Sequence, residues 1–575
     1  MKLIIREYLA GLRERDELDA LLPDLLSQMG LDVFSKPAVG GRQYGVDVAA
    51  IGSIDGGPET VYLFSVKSGD LGRTDWDGAS PQSLRPSLNS IIDIYIGSHL
   101  PAPYRNKPIE ICLCFGGNIK ETVRLDVSSY INNNTRGNVS FGEWNGEKLA
   151  NLIERYFLRE DLLPEHCRQL LRKSIAILDE PDASYLNFKQ LVHLLLSDKT
   201  SSTEELLTSL RQVYLCLWIL FTWSRDQNNV ESSYVASELC VLHSWERSKK
   251  LLTGTNKLHV SIQNTFAAIQ QLHIQITTHY MSTSILPHTN NLHALSTAVF
   301  SSCSTDVNLK MFDVLGRLAT LGMWNIWAFE KLTEEDRSSE LGLSVVKSIR
   351  YLQSSMAGMI VNNPVLKTPC KDDQGIDIIL AAWFLSFDFG IDIAVDDWLN
   401  QVINAAEYQL AIKNKYPCNL GEYYKLIEHP QKGESYFEEV TAGSILYPYL
   451  ALLVALMGDE EGYNKIRYIK KEFLKHCNFQ FWFPDASSEE NFYDNNSSHG
   501  ATLSHVSMET DGGIWGFLDM IFKECDESKS FNSLSAVELQ HWPLIVIACR
   551  HYRYPVPLHF FSGMYVQLKN ELPPV

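Results

Sequence analysis

The sequence predicts an α/β domain over residues 1–160 followed by a large all-α region over residues 161–575, and three observations predict it. The chain has 575 residues, beyond the roughly 250–300 at which single cores stop growing. Before residue 160, short β-branched and aromatic runs alternate with Gly, Pro and Asp. After it, long segments with helical apolar spacing take over.

The elements follow in order. Leu18, Leu21, Leu22, Leu25, Leu26 and Met29 form one apolar stripe in the stretch 12–29, and Gly30 supplies a stop. "LDVFSKPAV", "QYGVDVAAIG" and "TVYLFSVKSG" read as strands, "SLRPSLNSIIDIYIGSHL" as a crossover helix and "PIEICLCFGG" as a buried strand. "NVSFGEWNGEKLANLIERYFL" reads as a last strand running into a helix. Beyond residue 160, Ser202 with Glu205 and Ser535 with Glu538 fit the reciprocal capping box, and "SAVELQHWPLIVIACRHY" reads as one of the long helices. Residues 478–513 form a long turn-rich stretch of the kind that is usually functional or disordered.

Composition narrows the function classes. The net charge is −19, which argues against a surface coated in basic groups for nonspecific nucleic-acid binding. That charge is uneven, with 17 Lys and Arg against 21 Asp and Glu in residues 1–160, so nucleic-acid contact is expected there, in a local groove. The eleven cysteines are scattered without a CxxC pair, which fits a reducing compartment, and Cys112 and Cys114 read as buried packing. Charge follows the first apolar residues too soon for a secretory signal, and the longest apolar stretch, 213–223, is shorter than the ~20 residues that span a bilayer. A cytoplasmic protein without membrane contact is therefore expected. No G-x-x-x-x-G-K-[ST] sequence occurs, and neither His288 with His293 nor His499 with His505 has zinc-ligand spacing.

The stretch "GVDVAAIGSIDGGPETVYLFSVKSG" carries the chemistry. If the turn "SIDGGPE" has its tip near Gly56, facing residues carry numbers that sum to 112 or 114, and Asp47 lies opposite Ser65 or Lys67. Side chains alternate along a strand, so Ser65 and Lys67 share a face and Val66 takes the other. Polar groups thus converge on a buried sheet, which needs a mutual ion pair or a bound ion to be tolerable. Nearby, Arg73 offers a phosphate contact, Trp76 a stacking surface and Arg42 a DNA contact; a polar surface loop is the competing reading of "GDLGRTDWDG".

An acidic first helix, "ERDELDALLPDLLSQMG", then "GVDV", then "SVK", resembles the PD-(D/E)XK nuclease superfamily, the restriction-endonuclease-like fold, and most closely its Mrr-like branch. The resemblance covers about residues 10–158, including "FGEWNGEKLANLI", and says nothing of residues 161–575. It implies a Mg²⁺- or Mn²⁺-dependent phosphodiesterase acting on DNA. Asp47 would be the chief carboxylate ligand and the Val66 carbonyl a second ligand. Lys67 would orient or help deprotonate the attacking water, and Glu17 would complete the site, with Glu14 and Asp19 as alternatives. Ser65 departs from the pattern, since that position usually carries Asp, Glu or Gln; the site then loses negative charge.

A nuclease joined to a helical partner resembles bacterial anti-phage effectors. The helical region would sense a phage-derived trigger or a partner protein encoded elsewhere, restrain the nuclease, or assemble it as a homo-oligomer. The rival readings are a noncatalytic DNA-binding or scaffold protein with a decayed nuclease fold, and a DNA repair nuclease.

Overall fold

The computed structural model describes residues 6, 9–10, 12, 14, 18–35, 44–78, 83–156, 165–197, 202–391, 393–495, 497, 499–503 and 506–570. The chain divides into two units, Met1–Ala236 with Gly254–Thr265, and Ser237–Thr253 with Phe266–Val575. It is mostly helical, with one mixed five-stranded sheet near the N-terminus.

In the first unit, α1 (Asp19–Gln28) precedes β1 (Asp32–Ser35), β2 (Val48–Gly52) and β3 (Thr60–Lys67). The β2–β3 connection runs over residues 53–59, and at its tip the Gly57 N–H donates to the Ile54 carbonyl (3.0 Å) while Asp55 (φ 53°) and Gly56 (φ 76°) both adopt left-handed backbone, the conformation that Asp-Gly favours in a tight turn. The ladder is antiparallel, from Val48 opposite Phe64 to Gly52 opposite Thr60, with facing numbers that sum to 112. From β3 onward the sheet is parallel. Helices Arg73–Asp77 (α2) and Leu84–Ser90 (α3), the latter continued by a π-helix over Ile91–His99, cross to β4 (Ile109–Phe115). A further helix, α4 (Glu121–Asn134), crosses to β5 (Val139–Trp144), and α5 (Gly146–Tyr156) follows. The strand order is β1-β2-β3-β4-β5.

The sequence reading missed α4, although two adjacent parallel strands require such a crossover. Every residue of β3 is buried, as befits the central strand. On one face Val61, Leu63, Ile111 and Leu113 pack against Trp76, Leu84, Leu88 and Val123 from the crossover helices. Each fully buried aliphatic side chain of this kind contributes about 1.5–3 kcal/mol of transfer free energy. On the other face Trp144 meets the Phe64 ring edge-on at 4.8 Å, and α1 packs beside β1, β2 and α5. The strand-bearing part ends at residue 156, but the compact unit continues through helices Glu165–Ala176, Pro181–Leu196 and Thr203–Asp226. Thr203–Asp226 is long and apolar enough to cross a membrane by length and composition, so the short run at 213–223 understated it. Its apolar window is 78 % buried inside the protein, which accounts for the composition as core packing. Its start is the expected capping box, with Ser202 and Glu205 each accepting from the other's backbone N–H (3.3 and 2.7 Å).

The second unit is helical around Ser304–Glu330, Gly375–Ser386, Leu446–Leu456 and Pro543–Tyr552. Gly322 permits a close helix crossing: a Cβ there would stand 2.3 Å from the Phe384 ring. A buried charge network ties the unit together. Glu238 pairs with Arg550 and His551, Arg550 with Asp313 (2.8 Å), and Arg553 with Asp377 (2.9 Å).

Three expectations for this region need correction. It is not purely α, because two short ladders join Gly443–Ser444 to Asn478–Phe479 and Phe481–Phe483 to Ala501–Leu503. The second strand of the first ladder and both strands of the second lie in the stretch expected to be turn-rich. Ser535 forms no capping box with Glu538: its hydroxyl accepts from the Trp245 indole N–H (3.0 Å), and Leu534 takes the cap position. The helix expected across residues 535–552 is broken into Ser535–Glu538 and Pro543–Tyr552, with Pro543 opening the second piece.

Candidate active site

The β2–β3 hairpin and the chain before α1 bring the polar groups together at the C-terminal end of β3. Continuing the register one step beyond Val48 sets Asp47 against Ser65. The Asp47 amide donates to the Phe64 carbonyl (2.8 Å), the residue that faces Val48, so the chain leaves the ladder at Asp47. Its carboxylate folds back onto β3 and accepts from the Val66 N–H through Oδ2 (2.7 Å). A strand residue's N–H and C=O leave on the same side, so the Val66 carbonyl points toward the β2 side, where that carboxylate sits. Lys67, the last residue of β3, is buried and donates from Nζ to Glu14 Oε1 at 2.8 Å.

The electrostatics are those of an anion short of positive charge. Burial is the main cause that raises the Asp47 carboxyl from 3.8 to about 6, and the Glu14 and Asp19 carboxylates add to it. The Val66 N–H and the Lys67 ammonium oppose the rise without cancelling it. Ser65 is 1 % exposed, and its Oγ has no hydrogen-bond partner among the described residues. A buried hydroxyl left unpaired costs about 1–3 kcal/mol and is rare in native proteins.

Glu17, the acid preferred from the sequence, lies outside the described residues, as does Arg42. The acid that meets Lys67 is Glu14, and Asp19 is buried close enough to raise Asp47. Trp76 is not a stacking surface. It is 2 % exposed in the sheet's core, with its ring edge-on to Tyr130 at 5.5 Å, so the expectation of base stacking is corrected. Arg73 is exposed on the first residue of α2. Cys112 and Cys114 are buried, and burial pushes both thiols well up, which leaves them inert packing.

Residues that sequence reasoning passed over hold the strand ends in place. Asp70 accepts the Asn118 N–H (2.8 Å), and the Gly117 amide donates to the Gly69 carbonyl (2.8 Å), which knits the loops after β3 and β4. A Cβ on Gly116 would stand 1.8 Å from the Leu9 carbonyl oxygen, so only glycine lets the segment around Leu9 lie against the C-terminal end of β4. The pair of adjacent glycines in "CFGGN" was the available signal.

Among the described residues, no group of three or more His, Cys, Asp or Glu stands ready to hold a metal ion. The oxygen donors that do converge still fit a hard divalent cation. One carboxylate with a raised pKa beside one backbone carbonyl suits Mg²⁺, which takes one or two carboxylates and keeps several waters. No protein-family model, no curated protein and no solved structure matches this chain.

Proposed function

We propose that the N-terminal α/β domain is a PD-(D/E)XK-type nuclease that hydrolyses DNA phosphodiesters with Mg²⁺ or Mn²⁺. The observation that carries the reading is the meeting of Asp47, Val66, Lys67 and Glu14 at the end of one buried strand. When bound, the metal would polarise the phosphoryl oxygen and acidify a water. Asp47 and the Val66 carbonyl would hold it. The Lys67 ammonium would face the phosphate, where it offsets growing negative charge and orients the attacking water. Glu14 fixes the direction of the Lys67 side chain and would accept a proton from that water. The Ser65 hydroxyl would bind a metal-bound water in place of the acid or amide the family carries there.

The helical remainder is proposed to restrain or assemble this nuclease as a cytoplasmic homo-oligomeric anti-phage effector, released by a phage-derived trigger or by a partner protein. Two features favour the second reading, a decayed DNA-binding scaffold: Ser65 stands where the family carries an acid or amide, and Glu14 already neutralises Lys67. Purified protein incubated with plasmid and Mg²⁺ or Mn²⁺, beside Lys67→Ala, separates the two. Metal-dependent nicking lost in the variant supports the nuclease, and no cleavage under any metal or trigger favours the scaffold. Challenging cells with phage and with a DNA-damaging agent separates defence from repair: protection against damage alone would sink the defence reading.

A further inference from the structure

The second unit contains a cleft of about 730 Å³ that the nuclease reading does not use. That volume is ordinary for a small-molecule site, a class of roughly 300–1,000 Å³. Its walls are aromatic: Trp327, Trp383, Trp542, Phe387 and Phe560 line it. The rings are not packed away from it, since Trp327, Trp542, Phe387 and Phe560 are only partly buried. Trp383 sits at the centre, 4.9 Å from the Phe560 ring and 5.6 Å from that of Trp542.

The polar groups hold this wall open and decide its charge. The Trp542 indole N–H donates to Glu330 Oε2 (3.0 Å), and that of Trp327 donates to the Gln540 carbonyl (2.7 Å). Each ring is therefore held by its edge. Glu330 and Asp388 are exposed carboxylates on the rim. Among the described residues, the one cationic residue in the lining is Lys331, whose ammonium lies 5.6 Å from the centre of the Trp327 ring and donates to Gln540 Oε1 (3.0 Å). His541, whose ring lies 5.4 Å from that of Trp327, adds no positive charge, because burial lowers it to about 4. A neighbouring cavity of about 650 Å³ shares Phe387 and Asp388 with the first and adds Asp396 and Asp459, with no Lys or Arg among the described residues of its lining.

We propose that this cleft binds a small organic cation of the alkylammonium class. The faces of aromatic rings carry negative potential and attract a desolvated ammonium, and the carboxylates supply the countercharge. A phosphorylated ligand is opposed by the same carboxylates and finds no arginine in the lining. A neutral ligand of the same shape gains the apolar contact but leaves the rim charges uncompensated.

The test uses the full chain, titrated by calorimetry and tryptophan fluorescence with choline, with its neutral isostere 3,3-dimethylbutan-1-ol, and with AMP. Choline is expected to saturate one site, and the isostere to bind at least about tenfold more weakly, the factor that loss of roughly 1.4 kcal/mol represents. Glu330→Gln and Asp388→Asn, both on exposed positions, are each expected to weaken choline severalfold with an unchanged melting profile. Equal binding of the isostere, tighter binding of AMP, no binding of choline at millimolar concentration, or full affinity in both variants would each overturn the proposal. Nuclease activity enters none of these readouts, so the outcome stands apart from that of the proposed function.

Discussion

Replacing Asp47 by Asn is predicted to make the metal-free protein more stable at neutral pH. Its carboxyl titrates at about 6 in the folded chain against an ordinary 3.8, chiefly because it is buried. That difference corresponds to ~3 kcal/mol, at roughly 1.4 kcal/mol per pH unit. The sign follows from the direction of the shift. Because the folded state holds the proton more tightly, the favourable contribution is complete below about pH 4 and is lost as pH rises through about 6. Above that pH the folded chain carries a buried anion, which Asn removes while keeping an oxygen for the Val66 N–H. Hydrogen exchange at the β3 amides, Val61 to Lys67, measured in chelator from pH 4 to 8, reads the local free energy. The Asn variant should exceed wild type by up to ~3 kcal/mol at pH 8 and match it near pH 4. Added Mg²⁺ should close the gap by stabilising wild type alone. A variant less stable than wild type at pH 8, or a difference that ignores pH, would refute the reasoning.

Three further outcomes follow from the packing. Trp76→Ala should cost ~3–5 kcal/mol in urea unfolding, as for other buried aromatic truncations, and leave the DNA affinity of the folded protein unchanged. Gly116→Ala should push the Leu9 segment from the C-terminal end of β4 and part Glu14 from Lys67, which limited proteolysis near the N-terminus would read as faster cleavage. Glu238→Ala leaves Arg550 buried without its closest partner; a loss of ~3–5 kcal/mol is expected in the unfolding of the helical unit.

The hairpin was legible because its determinants are local. Strand alternation and a turn tip near Gly56 suffice to bring Asp47 to the Ser65–Lys67 end of β3. The acid of the site was not, because the sequence offers Glu14 and Glu17 only three residues apart, and the chain's seating against Gly116 is what brings Glu14 to Lys67. Trp76 read as a candidate for stacking because its neighbours are polar. The indole is buried by Tyr130, more than fifty residues away, and no local pattern carries that contact. Ser535 shows the opposite failure, a valid capping pattern overridden when a distant indole, Trp245, claims the hydroxyl. The aromatic cleft was invisible for the same reason, since Trp327, Trp383, Trp542 and Phe560 meet only in the folded unit.

Under the proposed nuclease reading, Asp47 would hold a divalent metal beside Lys67. Mn²⁺ titrated into the full chain and followed by electron paramagnetic resonance measures this directly, with Asp47→Asn and Lys67→Ala alongside. The account predicts a bound Mn²⁺ signal in wild type that Asp47→Asn abolishes and Lys67→Ala retains. Mn²⁺ bound equally by wild type and Asp47→Asn, or by neither, would contradict it.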